Sequence, residues 1–235
     1  MPQLAHTSGE VISYIEMCQA WSSSLQRGMN FHLRPDCSVI LMSRRTNAPY
    51  RDKIEEDGRV LIYEGHDVPK SSTNPNPKIV DQPELTPSGK LTQNGLFAAA
   101  ARRAKAGLAN PEQIAVYEKI HTGIWAFNGL FLLTDSWMES DTIRCVFKFR
   151  LELLEEQAAF ASALATELSH NRLIPSAVKL EVWQRDNGKC VLCGSKENIH
   201  FDHDLPFSKG GSSFVASNIR LLCAKHNLSK GAKIQ

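Results

Sequence analysis

No stretch of this chain approaches the roughly 18 consecutive apolar residues that a membrane-spanning helix needs, so no membrane role is expected. The opening residues, MPQLAHTSGE, hold no basic segment followed by an apolar one, so no secretion signal is expected either. No internal repeat is visible. Charge of one sign is scarce: 27 Lys and Arg against 25 Asp and Glu leave a formal net charge of +2, too little to announce a polyanionic partner. What is present is an ordinary globular balance of 42% hydrophobic and 22% charged residues, which argues against wholesale disorder. The 235 residues suffice for one large domain or two small ones.

The averages conceal an asymmetry. Residues 176–235 hold nine Lys and Arg against five Asp and Glu, whereas the rest of the chain is slightly acidic. A compact basic C-terminal module suits contact with a polyanion. Cysteine is also uneven. Cys18, Cys37 and Cys145 are scattered among apolar neighbours and read as buried thiols in a reducing compartment. Cys190, Cys193 and Cys223 crowd into the last 46 residues and need another account.

Residues 10–26 place Val11, Ile15 and Cys18 near helical spacing, which predicts a front helix ended at Gly28. Short apolar runs at 38–42, 59–65, 115–120, 129–135 and 144–154 predict strands. The alanine run within 91–107 predicts a helix stopped by Gly107, with Gly95 weakening its first turn. Five prolines between Pro69 and Pro87 predict a long exposed loop. Phe160, Leu164 and Leu168 mark an amphipathic helix over 155–170, and Pro175 starts a second.

Near the C-terminus, Cys190 and Cys193 form one CxxC knuckle, and Cys223 with His226 forms a second, with 29 residues between the pairs. Two knuckles supply four N/S ligands for a tetrahedral structural zinc, which a module with few core residues needs. The alternative, a CxxC redox pair, leaves the second knuckle unexplained. Between the knuckles lie Asp202-His203, the Gly210-Gly211 loop and Asn218, and Asn227 follows the last ligand. Residues 176–233 thereby resemble the HNH nucleases, a ββα-metal family. The resemblance implies that His203 is the general base, that Asp202 and Asn227 hold one catalytic divalent ion, and that Asn218 orients the loop aiming the base. That ion is expected to be Mg2+, Mn2+, Co2+ or Ni2+, because a hard cation with oxygen ligands can neutralise charge developing on a phosphate. Imidazole titrates near neutrality and so can take a proton from water. Lys209 and Lys230 are expected at DNA phosphates. His226 stands where most members carry a fourth Cys, and Asn227 where many carry His. His200 and Asp204 could be further ligands or ordinary packed and surface residues. A zinc module that only grips DNA is the alternative.

The first 154 residues carry SVILMSRRTNAPYRDKIEEDGRVLIYEG (38–65), DQPELTPSGKLTQNGLFAAA (81–100), FNGLFLLTDSW (127–137) and RCVFKFRLEL (144–153). These segments resemble the SRA domain, a β-rich fold that recognises modified cytosine flipped from the duplex. The resemblance implies that Tyr50 and Tyr63 are the two rings holding the base and that Asp52 reads its N4 amine, with Lys53 as the alternative occupant of that place. Stacking on both faces offsets part of the unstacking cost. Glu64 and His66 follow where smaller residues are expected, leaving open which 5-substituent fits. Arg44, Arg45, Arg51, Arg102, Arg103 and Lys105 could meet phosphates or simply be solvated.

Together these readings predict an α+β chain: a β-rich SRA-like (PUA-like) barrel over residues 1–154, a helical linker over 155–175, and a zinc-stabilised HNH domain over 176–235. The resemblance implies a modification-dependent restriction endonuclease, cytoplasmic and prokaryotic, acting as a homodimer on double-stranded DNA containing 5-methyl- or 5-hydroxymethylcytosine. Two alternatives stand beside it: a non-catalytic reader of modified DNA, and an HNH nuclease indifferent to modification.

Overall fold

Ser13 decides where the first helix begins. Its hydroxyl accepts from the Glu16 amide at 3.2 Å, while the Glu16 carboxylate accepts from the Ser13 amide at 2.8 Å, a reciprocal capping box. Helix α1 therefore spans only Tyr14–Trp21, and residues Glu10–Ser13 before it form strand β1, correcting the expected helix over 10–26. The structure, a computed structural model, describes residues 6–35, 37–44, 48–55, 58–72, 74–154, 173–205 and 211–230. The expected helix over 155–170 lies outside the described residues, as do Lys209 and Arg45.

The predicted strands appear as β3 (Cys37–Met42), β5 (Val60–Glu64), β6 (Glu112–His121), β7 (Ile124–Ser140) and β8 (Cys145–Leu153). Two further strands, β2 (Met29–Arg34) and β4 (Lys53–Glu55), lack the β-branched density that would announce them. Helix α2 covers Gln93–Lys105, capped by the Thr92 hydroxyl accepting from the Gly95 amide. Gly95 has a packing reason: a Cβ there would sit 2.3 Å from the Glu84 carbonyl oxygen. The C-terminal part supplies α3 (Ser176–Arg185), β9 (Ile199–His203), β10 (Ile219–Cys223) and α4 (Ala224–Lys230).

The result is a β-rich mixed sheet with few helices. Among the described residues its strands pair in the order β10-β9-β1-β7-β6-β3-β2, and β8, β5 and β4 branch from the far end of β7. β3 and β6 run parallel, whereas the other pairs are antiparallel. Among the described residues no pairing joins β2 to β4. The 17-residue β7 makes the branch possible by pairing with β1 near its start and with β8 further along.

Three apolar clusters fill the fold. One lies beneath α2 and includes Ile40, Leu61, Phe97, Phe131 and Phe149. A second packs α1 onto the sheet through Met17, Trp21, Tyr117 and Phe127. The third joins Ile120 and Ala126 of β6 and β7 to Val178, Val182, Ile199 and Leu221. Strand β1 is likewise shared, since Val11 pairs with Ala126 on one side and Ile199 on the other. The proposed modules 1–154 and 176–235 thus meet along one sheet and one core.

The Pro-rich stretch 69–87 is stitched down rather than simply exposed. Prolines cannot donate backbone hydrogen bonds, so side chains take over. The Asp81 carboxylate accepts from the Cys145 amide at 2.6 Å, and buried Gln82 donates to the Gly65 carbonyl and accepts from the Phe147 amide. The Arg144 guanidinium donates to the Pro77 and Val80 carbonyls.

Candidate functional site

Tyr50, Asp52 and Tyr63 line one cavity of about 350 Å³, which also touches Gly28, Met42 and His66. The sheet explains the convergence. β5 delivers Tyr63, the segment leading into β4 delivers Asp52, and β4 pairs with β5. Asp52 is buried and accepts from the Glu64 amide at 3.0 Å, whereas Lys53 is exposed on β4. The carboxylate at this cavity is therefore Asp52. Burial pushes its pKa up to about 7, outweighing the backbone hydrogen bonds that lower it.

The two tyrosines do not face each other as an empty sandwich. Tyr63 is fully buried, with its hydroxyl 3.4 Å from the Leu41 carbonyl oxygen and 3.3 Å from His66 Nε2. The ring parallel to Tyr50 is that of His66, at 5.4 Å between centroids and 17° between planes. Lys78 Nζ lies 4.3 Å from the Tyr50 ring centroid and pairs with Asp67 at 2.8 Å. His66 is held by its backbone: its amide donates to Asn94 Oδ1, and its carbonyl accepts from Asn94 Nδ2, both at 2.8 Å. Burial lowers the His66 pKa to about 4, so its ring is neutral at neutral pH.

Beside the cavity, buried Glu64 accepts from Lys148 Nζ at 2.9 Å, and Arg144 pairs with Asp67 at 2.6 Å. Sequence reasoning missed Lys78, Arg144 and Lys148 at this site. The folding back of the Pro-rich segment brings Lys78 there and ties down Arg144, whereas Lys148 stands opposite Glu64 in the β5–β8 pairing; no local spacing signals these long-range contacts. Of the candidate phosphate contacts, Arg102 pairs with Glu84 and Lys105 with Asp135 on the surface.

The second cluster lies at the C-terminal end. The ligand atoms of Cys190, Cys193, Cys223 and His226 all fall within 4.8 Å of one another. His226 Nδ1 is 3.3 Å from the sulfurs of Cys190 and Cys223, and the Cys193 and Cys223 sulfurs are 3.8 Å apart. These spacings suit the edges of a tetrahedral site with metal–sulfur bonds of about 2.3 Å, so this set is able to hold a metal ion. Burial raises the Cys190 thiol pKa, but hydrogen bonds from the Cys223, Leu192 and Cys193 backbone outweigh it and bring the value down to about 6.

Beside His203 the structure holds together the described residues that flank 206–210. Asn218 Oδ1 accepts from the Leu205 amide at 2.8 Å, and its Nδ2 donates to the Leu205 and Ser212 carbonyls at 3.0 Å. The loop ends so close together that a Cβ on Gly211 would lie 1.7 Å from the Leu205 carbonyl oxygen. His203 Nε2 is 2.8 Å from Ser213 Oγ, at the returning end of that loop. Burial lowers its pKa, Asp202 raises it and Lys230 lowers it further.

Lys230 is not at the surface where a phosphate contact was expected. It is buried, with Nζ bonded to Asp202 Oδ2 and to the His203 carbonyl. Asn227 is half-buried on α4, one residue beyond His226. His200 is a buried residue of the seam, paired across from Glu10, and burial lowers its pKa. Asp204 makes an ion pair with Arg220 at 2.9 Å.

No family model matches the chain, and no curated protein matches it. Among solved structures, it is similar to the SUVH5 SRA domain in complex with hemimethylated CG DNA, with 20% identity and a TM-score of 0.46 over 67% of this chain and 95% of that one. It is also similar to the SUVH5 SRA domain bound to fully hydroxymethylated CG DNA, with 17% identity and a TM-score of 0.44 over 68% and 97%. A third likeness is to KRYPTONITE in complex with mCHH DNA, an H3(1-15) peptide and SAH, with 15% identity and a TM-score of 0.41 over 67% and 34%. The roles of individual side chains rest on the geometry of this chain itself.

Proposed function

We propose that this protein is a modification-dependent DNA endonuclease, in which one end of the sheet captures a flipped modified cytosine and the other hydrolyses a nearby phosphodiester. The observation carrying the reading is the convergence of Tyr50, Asp52 and Tyr63 on one cavity. A flipped pyrimidine needs an aromatic face to replace its lost stacking and a polar group at its Watson–Crick edge. Tyr50 supplies the first and Asp52 the second, because the N4 amine of cytosine donates where thymine offers an acceptor.

Cleavage is supported by the arrangement at β9, β10 and α4, two antiparallel strands followed by a helix. His203 takes the proton of the attacking water, and Asn218 pins the loop beside it. Cys190, Cys193, Cys223 and His226 hold a structural Zn2+. A divalent cation, Mg2+ or one of Mn2+, Co2+ and Ni2+, held by Asp202 and Asn227, would neutralise charge at the phosphate, sharing Asp202 with Lys230. The partner is double-stranded DNA carrying 5-methyl- or 5-hydroxymethylcytosine. A homodimer places two such centres for a double-strand cut.

The Lys230–Asp202 pair favours a second reading, a reader of modified DNA that does not cut. One assay separates the two: cleavage of matched modified and unmodified plasmids with each of the four cations, with His203→Ala and Tyr50→Ala alongside. Selective cutting of modified plasmid, abolished by His203→Ala without loss of binding, supports the endonuclease. Selective binding with both plasmids intact under every cation supports the reader. Equal cutting of both plasmids defeats the base-capture half of the proposal.

A further inference from the structure

Buried polar contacts join the cavity residue Met42 to Lys179 near the start of α3, and the far end of α3 is bonded to the turn beside His203. Met42, 1% exposed, lines the cavity, and its sulfur accepts from Asn128 Nδ2 at 3.6 Å. The same Nδ2 donates to Glu118 Oε2 at 3.2 Å. Lys179 of α3 donates to Glu118 Oε2 at 2.7 Å and to Asn128 Oδ1. All four side chains are buried. At the far end of α3, Arg185 donates to the Ala216 and Ile219 carbonyls at 2.8 and 2.7 Å, and Asp186 accepts from the Leu221 amide. The turn Ala216–Asn218 carries the asparagine that pins the His203 loop.

Burying a lysine and a glutamate removes both from water, at a cost their attraction only partly offsets, so stability alone is a poor reason for the pair. Burial raises the Glu118 pKa, but the Lys179 charge and hydrogen bonds outweigh it and keep the carboxylate ionised. The network also has room for a second arrangement. Among the described residues Glu118 Oε1 is buried without a geometrically formed hydrogen bond, the Ser176 hydroxyl being its polar neighbour, and a cavity of about 230 Å³ borders Glu118, Pro175 and Ser176 at the start of α3. Methionine is the side chain that yields most readily when a neighbouring cavity fills.

We propose that Lys179 is a positioning residue that couples base capture to cleavage: an occupied cavity shifts Met42, Asn128 re-forms its bonds to Glu118 and Lys179, and α3 carries the change to the Ala216–Asn218 turn that holds Leu205 and Ser212 beside His203. This inference rests on the endonuclease reading. Spatial continuity alone does not establish coupling, so the test must read coupling itself. Lys179→Met with Glu118→Gln removes both charges and leaves Asn128 an amide partner. Asn128→Leu keeps the Lys179–Glu118 ion pair and removes the amide that links that pair to Met42.

The experiment measures binding of a modified duplex and single-turnover cleavage of modified and unmodified plasmids by the full chain, after thermal melts identify which variants fold. The expected result is duplex affinity within about threefold of wild type and a fall of at least tenfold in the ratio of modified to unmodified cleavage rates, in whichever variants fold. An unchanged ratio in a folded variant of a selective wild type overturns the coupling while the endonuclease reading stands. A wild type that cuts neither plasmid overturns the endonuclease reading, one that cuts both equally overturns its base-capture half, and either result overturns the coupling.

Discussion

The imidazole of His66 lies parallel to the phenol of Tyr50, 17° between planes and 5.4 Å between centroids. A flipped base that stacks on Tyr50 must displace this ring or slide against it. An aromatic pair contributes about 0.5–1.5 kcal/mol beyond the area it buries. His66→Ala is therefore expected to tighten binding of a modified duplex by up to about tenfold and to admit bulkier 5-substituents. Fluorescence anisotropy with methyl-, hydroxymethyl- and unmodified duplexes measures this. Weaker binding by His66→Ala, rescued by His66→Phe, would identify the ring as a wall of the base site instead.

Asp52 and His66 line the same cavity with opposite titration shifts, and the signs give a pH prediction. Asp52 is raised from 3.8 to about 7, so the folded state binds more protons than the unfolded state between those values, and stability falls as pH rises through that window. His66 is lowered from 6.5 to about 4, so the unfolded state binds more protons there, and stability falls as pH drops. Each slope is at most about 1.4 kcal/mol per pH unit, and between pH 4 and 6.5 they oppose each other. Asp52→Asn is expected to lose stability steeply from pH 6.5 to 4, and His66→Asn to lose it as pH rises from 4 to 7. Urea titrations across this range measure both slopes, and parallel profiles for the two variants would contradict the assignment.

The parts of this fold legible in sequence were those carried by local pattern. The alanine run of α2 and the β-branched runs of β3, β5, β6, β7 and β8 announce themselves. The Cys and His knuckles do so by spacing, and they come together. What stayed hidden depended on contacts between distant segments. Glu10–Ser13 has the spacing of a helix start, but it becomes a strand because β7 and β9 offer edges on both sides. Tyr50 and Asp52 were legible as cavity residues, whereas the covering of Tyr50 by Lys78 was not, because Lys78 arrives on the Pro-rich segment. Lys230 carried the pattern of a surface phosphate contact and instead neutralises Asp202.

Metal removal should act locally and strongly. The cluster ties the knuckle at 190–193 to the end of β10 and the start of α4, and the Val191 amide donates to the Leu221 carbonyl across that junction. Structural zinc supplies folding free energy directly in small modules. One zinc per chain is expected by elemental analysis. Chelation or Cys190→Ser should abolish cleavage and expose residues 190–230 to proteolysis while leaving duplex binding largely intact. Full metal content in Cys190→Ser would sink this assignment.

The boundary near residue 155 can be tested by cutting the chain there. A fragment of residues 1–154 keeps the base cavity but loses the partners of its seam: β1 is left without β9, and Ile120 and Ala126 lose Val178, Val182 and Ile199. Most costly is Glu118, a fully buried carboxylate that loses the ammonium of Lys179. Breaking such a pair from one side costs about 3–5 kcal/mol where the remaining charge stays buried; in the fragment the loss of Pro175, Ser176 and Leu180 also opens Glu118 to water, so the cost is at most of that size. For a domain of this size, that upper bound corresponds to a fall of roughly 10 °C in Tm, before the lost apolar packing is counted. Glu118→Gln should recover part of the loss in the fragment and none in the full chain, where the pair is intact. That difference separates the electrostatic share from the apolar one. A fragment that melts at the full-length temperature and is indifferent to Glu118→Gln would show that the shared sheet and the Lys179–Glu118 pair contribute nothing to holding the two halves together.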